Sequence, residues 1–103
     1  MTVQEYRDYI AAGNPVVAGS DAHLFMHQMA QEAIRITMEI NNKYHTPEEL
    51  RKLFSELWDI EVPESFGMFP PFNTDCGKNT HIGERVFINS GCKFQDQGGI
   101  FIG

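Results

Sequence analysis

From Ile82 onward a large apolar residue recurs at every sixth position: Ile82, Ile88, Phe94 and Ile100. Small residues keep the same step, with Val86, Cys92 and Gly98 each four places after one of the first three. Gly83 comes directly after Ile82. A fixed period of this kind reads as a solenoid, in which no repeat can bury its apolar face alone. The pattern is that of a left-handed parallel β-helix. Each six-residue repeat lays down one flat face of a triangular coil, with the large residue inward and the small one near the turn. Gly77, Asn79, Gly83, Asn89 and Gly91 fall where tight corners need residues tolerant of positive φ. The register slips once. Ile100 keeps the step of six, but Ile102-Gly103 looks like the start of a further repeat shifted by two. That places a two-residue insertion at the Gln97-Gly98-Gly99 turn, and such insertions map to loops on one face of a repeat array.

The half before the repeats reads as helical. Val3, Tyr6 and Ile10 share one face of a short helix that stops before Gly13-Asn14-Pro15. Ser20 and Asp21 can both cap a second helix. From Ala22 to about Asn41 the spacing of Met26, Met29, Ala30, Ala33, Ile36 and Ile40 predicts that this helix is long and amphipathic. Leu24, Phe25, Ile34 and Met38 widen its apolar face, so it is expected to touch more than one neighbour. Thr46-Pro47-Glu48-Glu49 is a capping box with proline at the first helical position. It opens a third helix striped by Leu50, Leu53, Phe54 and Leu57. Residues 60–74 hold three prolines and no helical period. Gly67 to Phe72 reads as an extended lead-in strand, with Phe69 and Phe72 expected to seal the helices onto the first coil. The expected organisation is α+β: a helical segment over 1–59, an extended linker and strand over 60–74, and the first coils of the β-helix over 75–103.

Composition narrows the partners. The net charge of −6 argues against nucleic acid and against anionic membrane surfaces, because both select basic patches. No apolar run approaches the ~20 residues that span a bilayer, and the first ten residues lack the apolar stretch of a secretory leader. A cytoplasmic protein is expected. Cys76 and Cys92 read as buried thiols and not as a disulfide or a metal motif. In the hexad register Cys76 takes an inward place, six before Ile82. His23 and His27 stand four apart on a helix without a third ligand, so no metal is expected.

The helical head, the Met38-Glu39-Ile40-Asn41 helix end, Pro70-Pro71-Phe72 and the stretch Asp75-Cys76-Gly77-Lys78-Asn79-Thr80-His81-Ile82-Gly83, followed by Val86-Phe87-Ile88-Asn89, carry a family likeness. With these features the chain resembles the maltose and galactoside O-acetyltransferases, the sugar-modifying hexapeptide-repeat acyltransferases. The resemblance implies a homo-oligomer, in that family a trimer, with active sites between neighbouring β-helices. Acetyl-CoA is the co-substrate and the acceptor is a hydroxyl of a sugar-like small molecule. A histidine takes the proton from that hydroxyl. The resemblance assigns acceptor binding to Asp21, Asp75, Asn89 and Asp96, with Gln97 where some relatives carry a second acidic residue.

The family's catalytic histidine and its CoA-binding repeats correspond to positions beyond Gly103. His23, His27, His45 and His81 do not match it. These residues are therefore expected to represent the acceptor side of such an enzyme, with no catalytic residue and no bound CoA of their own. The alternatives are a non-catalytic acceptor-binding or assembly module, or an inactive truncated product. Asp21 also suits helix capping, and Asp75, Asn89 and Asp96 also suit β-helix corners.

Overall fold

The computed structural model describes residues 1–103. Three helices come first: α1 (Val3–Ala11), α2 (Asp21–Asn42) and α3 (Pro47–Trp58). Six short strands come after them: β1 (Gly67–Met68), β2 (Phe72–Thr74), β3 (Thr80–Ile82), β4 (Phe87–Ile88), β5 (Cys92–Phe94) and β6 (Ile100–Ile102). Of the expected caps, Thr46 and Ser20 are used, while Asp21 is the first helical residue of α2 and does not cap it. Thr46 and Glu49 close the capping box of α3 with Pro47 inside the first turn, and Ser20 caps α2 by accepting from His23 N–H. Thr2 and Glu5 form a second capping box on α1.

The strands pair only in parallel, as β1 with β4, β2 with β5 and β3 with β6. Every partner lies 20 residues further along: Gly67 opposite Phe87, Phe72 opposite Cys92, Ile82 opposite Ile102. The chain thus makes one circuit per 20 residues and stacks each face on the one before. Three hexads supply 18 of them, and the extra two fall in the corner between β2 and β3, repeated between β5 and β6. The insertion read at Gln97-Gly98-Gly99 lies in the second of these corners. The lead-in segment is itself the first two faces of the lower coil, since β1 and β2 carry the same ladders.

The slip moves one inward residue. Ile102, not Ile100, stands over Ile82 and packs on the core with Phe94 and Cys92, while Ile100 pairs with Thr80. Cys76 is buried, but against Tyr6 and Met29 of the helices and not inside the coil, because the longer corner carries it outward. Phe72 is sealed in the core among Phe54, Trp58 and Phe94. Phe69 is not: just past the end of β1 it is exposed, edge-on to Phe87, while its neighbour Met68 is the buried one, as expected where successive residues of extended chain point to opposite sides. Leu24, Ile34 and Met38 are likewise exposed on α2, since the inner face of that helix already buries Met29, Ala33, Ile36 and Ile40.

The helices also finish what the coil leaves open. An unpaired strand edge is a row of unsatisfied backbone groups. Asn41, at the end of α2, answers it by donating to Phe72 O at 2.8 Å and accepting from Phe72 N–H at 2.9 Å. In return the coil caps α3, whose last turn has no basic residue of its own. The buried ammonium of Lys78 donates to Leu57 O at 2.8 Å, Glu56 O at 3.0 Å and Glu32 Oε1 at 2.9 Å. Arg7 donates to Trp58 O at 2.8 Å and to Lys78 O at 2.6 Å. Positive groups belong at a helix C-terminus, where the free carbonyls gather.

Candidate functional site

The polar centre of the molecule is the long corner Asp75–Asn79 together with its copy one coil later, 95–99. Gly77 turns there at φ +82°, and a Cβ on it would stand 2.8 Å from Leu57 Cδ1. Only glycine meets both demands. The turn aims the N–H groups of Gly77 and Asn79 inward, and Asp96 of the upper coil fills the hollow. One carboxylate oxygen accepts from Gly77 N–H at 2.9 Å and Thr74 Oγ1 at 3.2 Å. The other accepts from Thr80 Oγ1 at 2.8 Å and Asn79 N–H at 3.2 Å. A buried carboxylate persists only when its oxygens are satisfied in this way.

Asp75 stands beside this fastener. Its Oδ1 accepts from Asp96 N–H at 3.1 Å, and its other oxygen takes no protein donor. Burial, with the Asp96 carboxylate next to it, raises the Asp75 carboxyl above its ordinary range, against the lowering effect of the Asp96 N–H bond. Tyr6 closes the same region from α1 with its hydroxyl donating to Gln97 O at 3.3 Å. Burial pushes that phenol up to about 12, helped by the negative charge of the cluster. The Cys76 thiol is also pushed up to about 12, chiefly by burial, so it is inert as a nucleophile.

The other two expected acceptor residues lie apart. Asn89 is exposed at the corner after β4, where its Oδ1 accepts from Ser90 N–H at 2.8 Å and its amide donors are free. Asp21 is exposed as the first residue of α2, beside Met1, Leu24, Phe25 and Gln28. Ser20 does the capping, so the Asp21 carboxylate is uncommitted. The structure therefore joins Asp75 to Asp96, and no hydrogen bond ties either of them to Asp21 or Asn89. Tyr6, Arg7 and Lys78 are structural partners of the site that the residue pattern does not announce. Nothing in a spacing links residue 6 to residue 97.

The histidines are engaged elsewhere. His23 and His27 face each other at 3.0 Å, His45 contacts Glu39 O at 2.8 Å, and His81 contacts Asn79 Oδ1 at 2.9 Å. No three His, Cys, Asp or Glu side chains converge as metal ligands. On the outer side of the long corner, an open cleft of about 400 Å³ runs between α1 and the β3–β6 face, with His81 and Phe101 on its wall. No helix is long and apolar enough to cross a membrane.

No family model matches the chain, and no curated protein matches it. Among solved structures, it is similar to a hexapeptide-repeat-containing acetyltransferase of Vibrio cholerae O1 biovar eltor, solved in complex with acetyl coenzyme A. The likeness has a TM-score of 0.70 at 25% sequence identity and covers 99% of this chain. The chain spans about half the length of that acetyltransferase, 51%. The arrangement of a helical head on stacked parallel strand pairs is thus shared with a hexapeptide-repeat acetyltransferase from end to end of this chain.

Proposed function

We propose that these residues form the acceptor side of an acetyl-CoA-dependent O-acetyltransferase of the maltose and galactoside type, acting on a hydroxyl of a sugar-like molecule. The strands are then the first coils of a left-handed parallel β-helix, and the protein works as a cytoplasmic homo-oligomer. One observation carries the reading: the likeness to an acetyltransferase complexed with acetyl coenzyme A extends over 99% of this chain, helical head and coils together. The 20-residue circuit with its hexad faces supports it independently.

In this reaction the acceptor oxygen attacks the thioester carbonyl, a base takes its proton, and CoA leaves as the thiol. The residues here serve the acceptor. Asp75 offers a free carboxyl oxygen, Asn89 its free amide donors and Asp21 its carboxylate, three groups suited to hydroxyls. Asp96, with both oxygens occupied, serves by holding the long corner and the Asp75 carboxyl in place. A second reading, sugar binding or assembly without turnover, is favoured by the four histidines, none of which hydrogen-bonds any of these residues.

The test incubates the protein with acetyl-CoA and a panel of methyl pyranosides and maltose. Free CoA thiol, acetylated sugar by mass spectrometry and sugar binding by calorimetry are measured in parallel. Acetylated sugar supports transfer, binding that Asp75→Ala or Asn89→Ala weakens supports the acceptor residues with or without transfer, and folded protein that neither binds nor acetylates any of these sugars overturns both the acceptor reading and sugar binding without turnover.

A further inference from the structure

Beside β1 a cavity of about 260 Å³ opens against the connection between α2 and α3. We infer that it is a binding site for a small phenol, whose hydroxyl donates to Nδ1 of His45 and whose ring lies against Tyr44 and Phe69. The cavity holds none of the acceptor residues assigned above, and it does not depend on acetyl transfer. It belongs to the lower coil and the helices, not to the open end of the stack, since its wall is drawn from residues 43–70. Phe69 at its edge already has a coil over it. Its N–H donates to Ile88 O at 3.0 Å, and its ring meets Phe87 edge-on. A further coil would stack on the upper one and leave this wall as it is.

His45 supplies the polar contact. Its side chain is only 7% exposed. Its Nε2 stands 2.8 Å from Glu39 O. A carbonyl only accepts, so Nε2 carries the proton, and in the neutral ring Nδ1 is left as an acceptor. No protein group donates to that nitrogen. It is not sealed away either, because Trp58 Nε1 is the one buried side-chain nitrogen or oxygen without a partner. The opening next to it is the cavity that His45 lines. An acceptor in an apolar wall favours a ligand that brings one donor and little else that is polar. The rest of that wall is apolar, with Pro47 and Leu50 from α3 and Met68 from β1. Tyr44 and Phe69 are both exposed at the mouth, where they offer ring faces and edges to a second aromatic ring. A dry cavity of about 150 Å³ takes up benzene, so 260 Å³ suits one ring with its hydroxyl and a small substituent. The charge pattern fits an oxygen-bearing ligand. The chain carries a net charge of −6, yet no acidic residue lines this cavity and Lys43 does. Glu39 is engaged by Lys43 at 3.4 Å and by the other nitrogen of His45 at 3.6 Å.

The test is a proton NMR titration of the whole chain with p-cresol at about pH 8, where imidazole is neutral. It is read at the ring protons of Tyr44 and His45. The control is 4-methylanisole, the same ring with its hydroxyl capped. The expected result is saturable movement of both rings with an apparent Kd of about 1 mM. Binding of 4-methylanisole is expected to be about three- to tenfold weaker. Phe69→Ala is expected to weaken cresol binding about fivefold. The Phe69 side chain is exposed, so this variant should keep the circular dichroism and melting profile of the parent. Rings that do not move at about 10 mM cresol, some tenfold above that Kd, would overturn the site. So would 4-methylanisole that binds as tightly as p-cresol, or affinity unchanged in Phe69→Ala. Self-association that Phe69→Ala abolishes, with no cresol bound, would also overturn it and give this face to a second copy of the chain. Cresol shifts confined to the amides of Asp75, Asp96 and Asn89 would overturn it while leaving the acceptor reading intact.

Discussion

Lys78→Met is expected to cost about 3 kcal/mol of stability. The side chain is 5% exposed and holds its ammonium against two carbonyls of the last turn of α3 and one carboxylate of α2. Hydrogen bonds from a charged group contribute about 1.5–3 kcal/mol each. Methionine matches the stem in length and recovers its packing but leaves Leu57 O and Glu56 O without a donor. The two lost carbonyl bonds therefore dominate. The Glu32 carboxylate is 42% exposed, and its share is screened by water to less than about 1 kcal/mol. Glu32→Gln is thus the control, and since Lys78→Met already removes the Glu32 bond, the double variant should cost little more than Lys78→Met alone. Urea unfolding followed by circular dichroism reads the difference as a midpoint lowered by about 2 M, and thermal melting as a fall of about 12–24 °C. A cost below about 1 kcal/mol for Lys78→Met, or a cost for Glu32→Gln equal to it, would refute the claim that the coil caps the helix.

The same corner sets four further outcomes. Asp96→Ala is expected to lose about 3–5 kcal/mol by leaving two buried N–H groups and two hydroxyls without their acceptor, against about 1 kcal/mol for Thr80→Val, both by chemical denaturation. Gly77→Ala is expected to cost about 2 kcal/mol or more, since it needs φ +82° and collides with Leu57, and melting temperature checks it. Alkaline pH should destabilise the fold: Tyr6 and Cys76 are both pushed up to about 12 from 10.0 and 9.0. Their contribution is whole below pH 9 and is lost progressively from there to about 12, because the unfolded chain gives up these protons first. A pH series of unfolding midpoints reads it. In thiol titration at pH 8, Cys92 should react first and Cys76 only on unfolding, since Cys76 is the buried one of the two.

Local signals in the sequence translate directly into structure. The capping box at Thr46, the stop before Gly13 and the hexad period each act within a few residues, so their geometry follows from their spacing. The displaced residues mark where long-range packing decides. The two-residue slip is legible at Ile102-Gly103, yet that Ile102 rather than Ile100 fills the inward place depends on a ladder to residues one circuit away. The same extra length carries Cys76 out of the coil and under Tyr6. Phe69, Leu24, Ile34 and Met38 are apolar by composition and exposed in the fold, because each stands on the outer side of an element whose inner side is already filled. At the site, the acidic residues can be picked out but not their partition. Asp96 and Asp75 differ by whether backbone N–H groups converge on them, and that convergence exists only after the corner has closed.

Amide-resolved NMR of the labelled protein, titrated with methyl pyranosides and maltose, tests the acceptor reading most directly. The expected result is saturable movement of the Asp75, Asp96 and Asn89 amides, reduced about tenfold in apparent affinity by Asn89→Ala or Asp75→Ala. A folded protein in which none of these amides moves at about 100 mM sugar, about a hundred times a millimolar Kd, would contradict it.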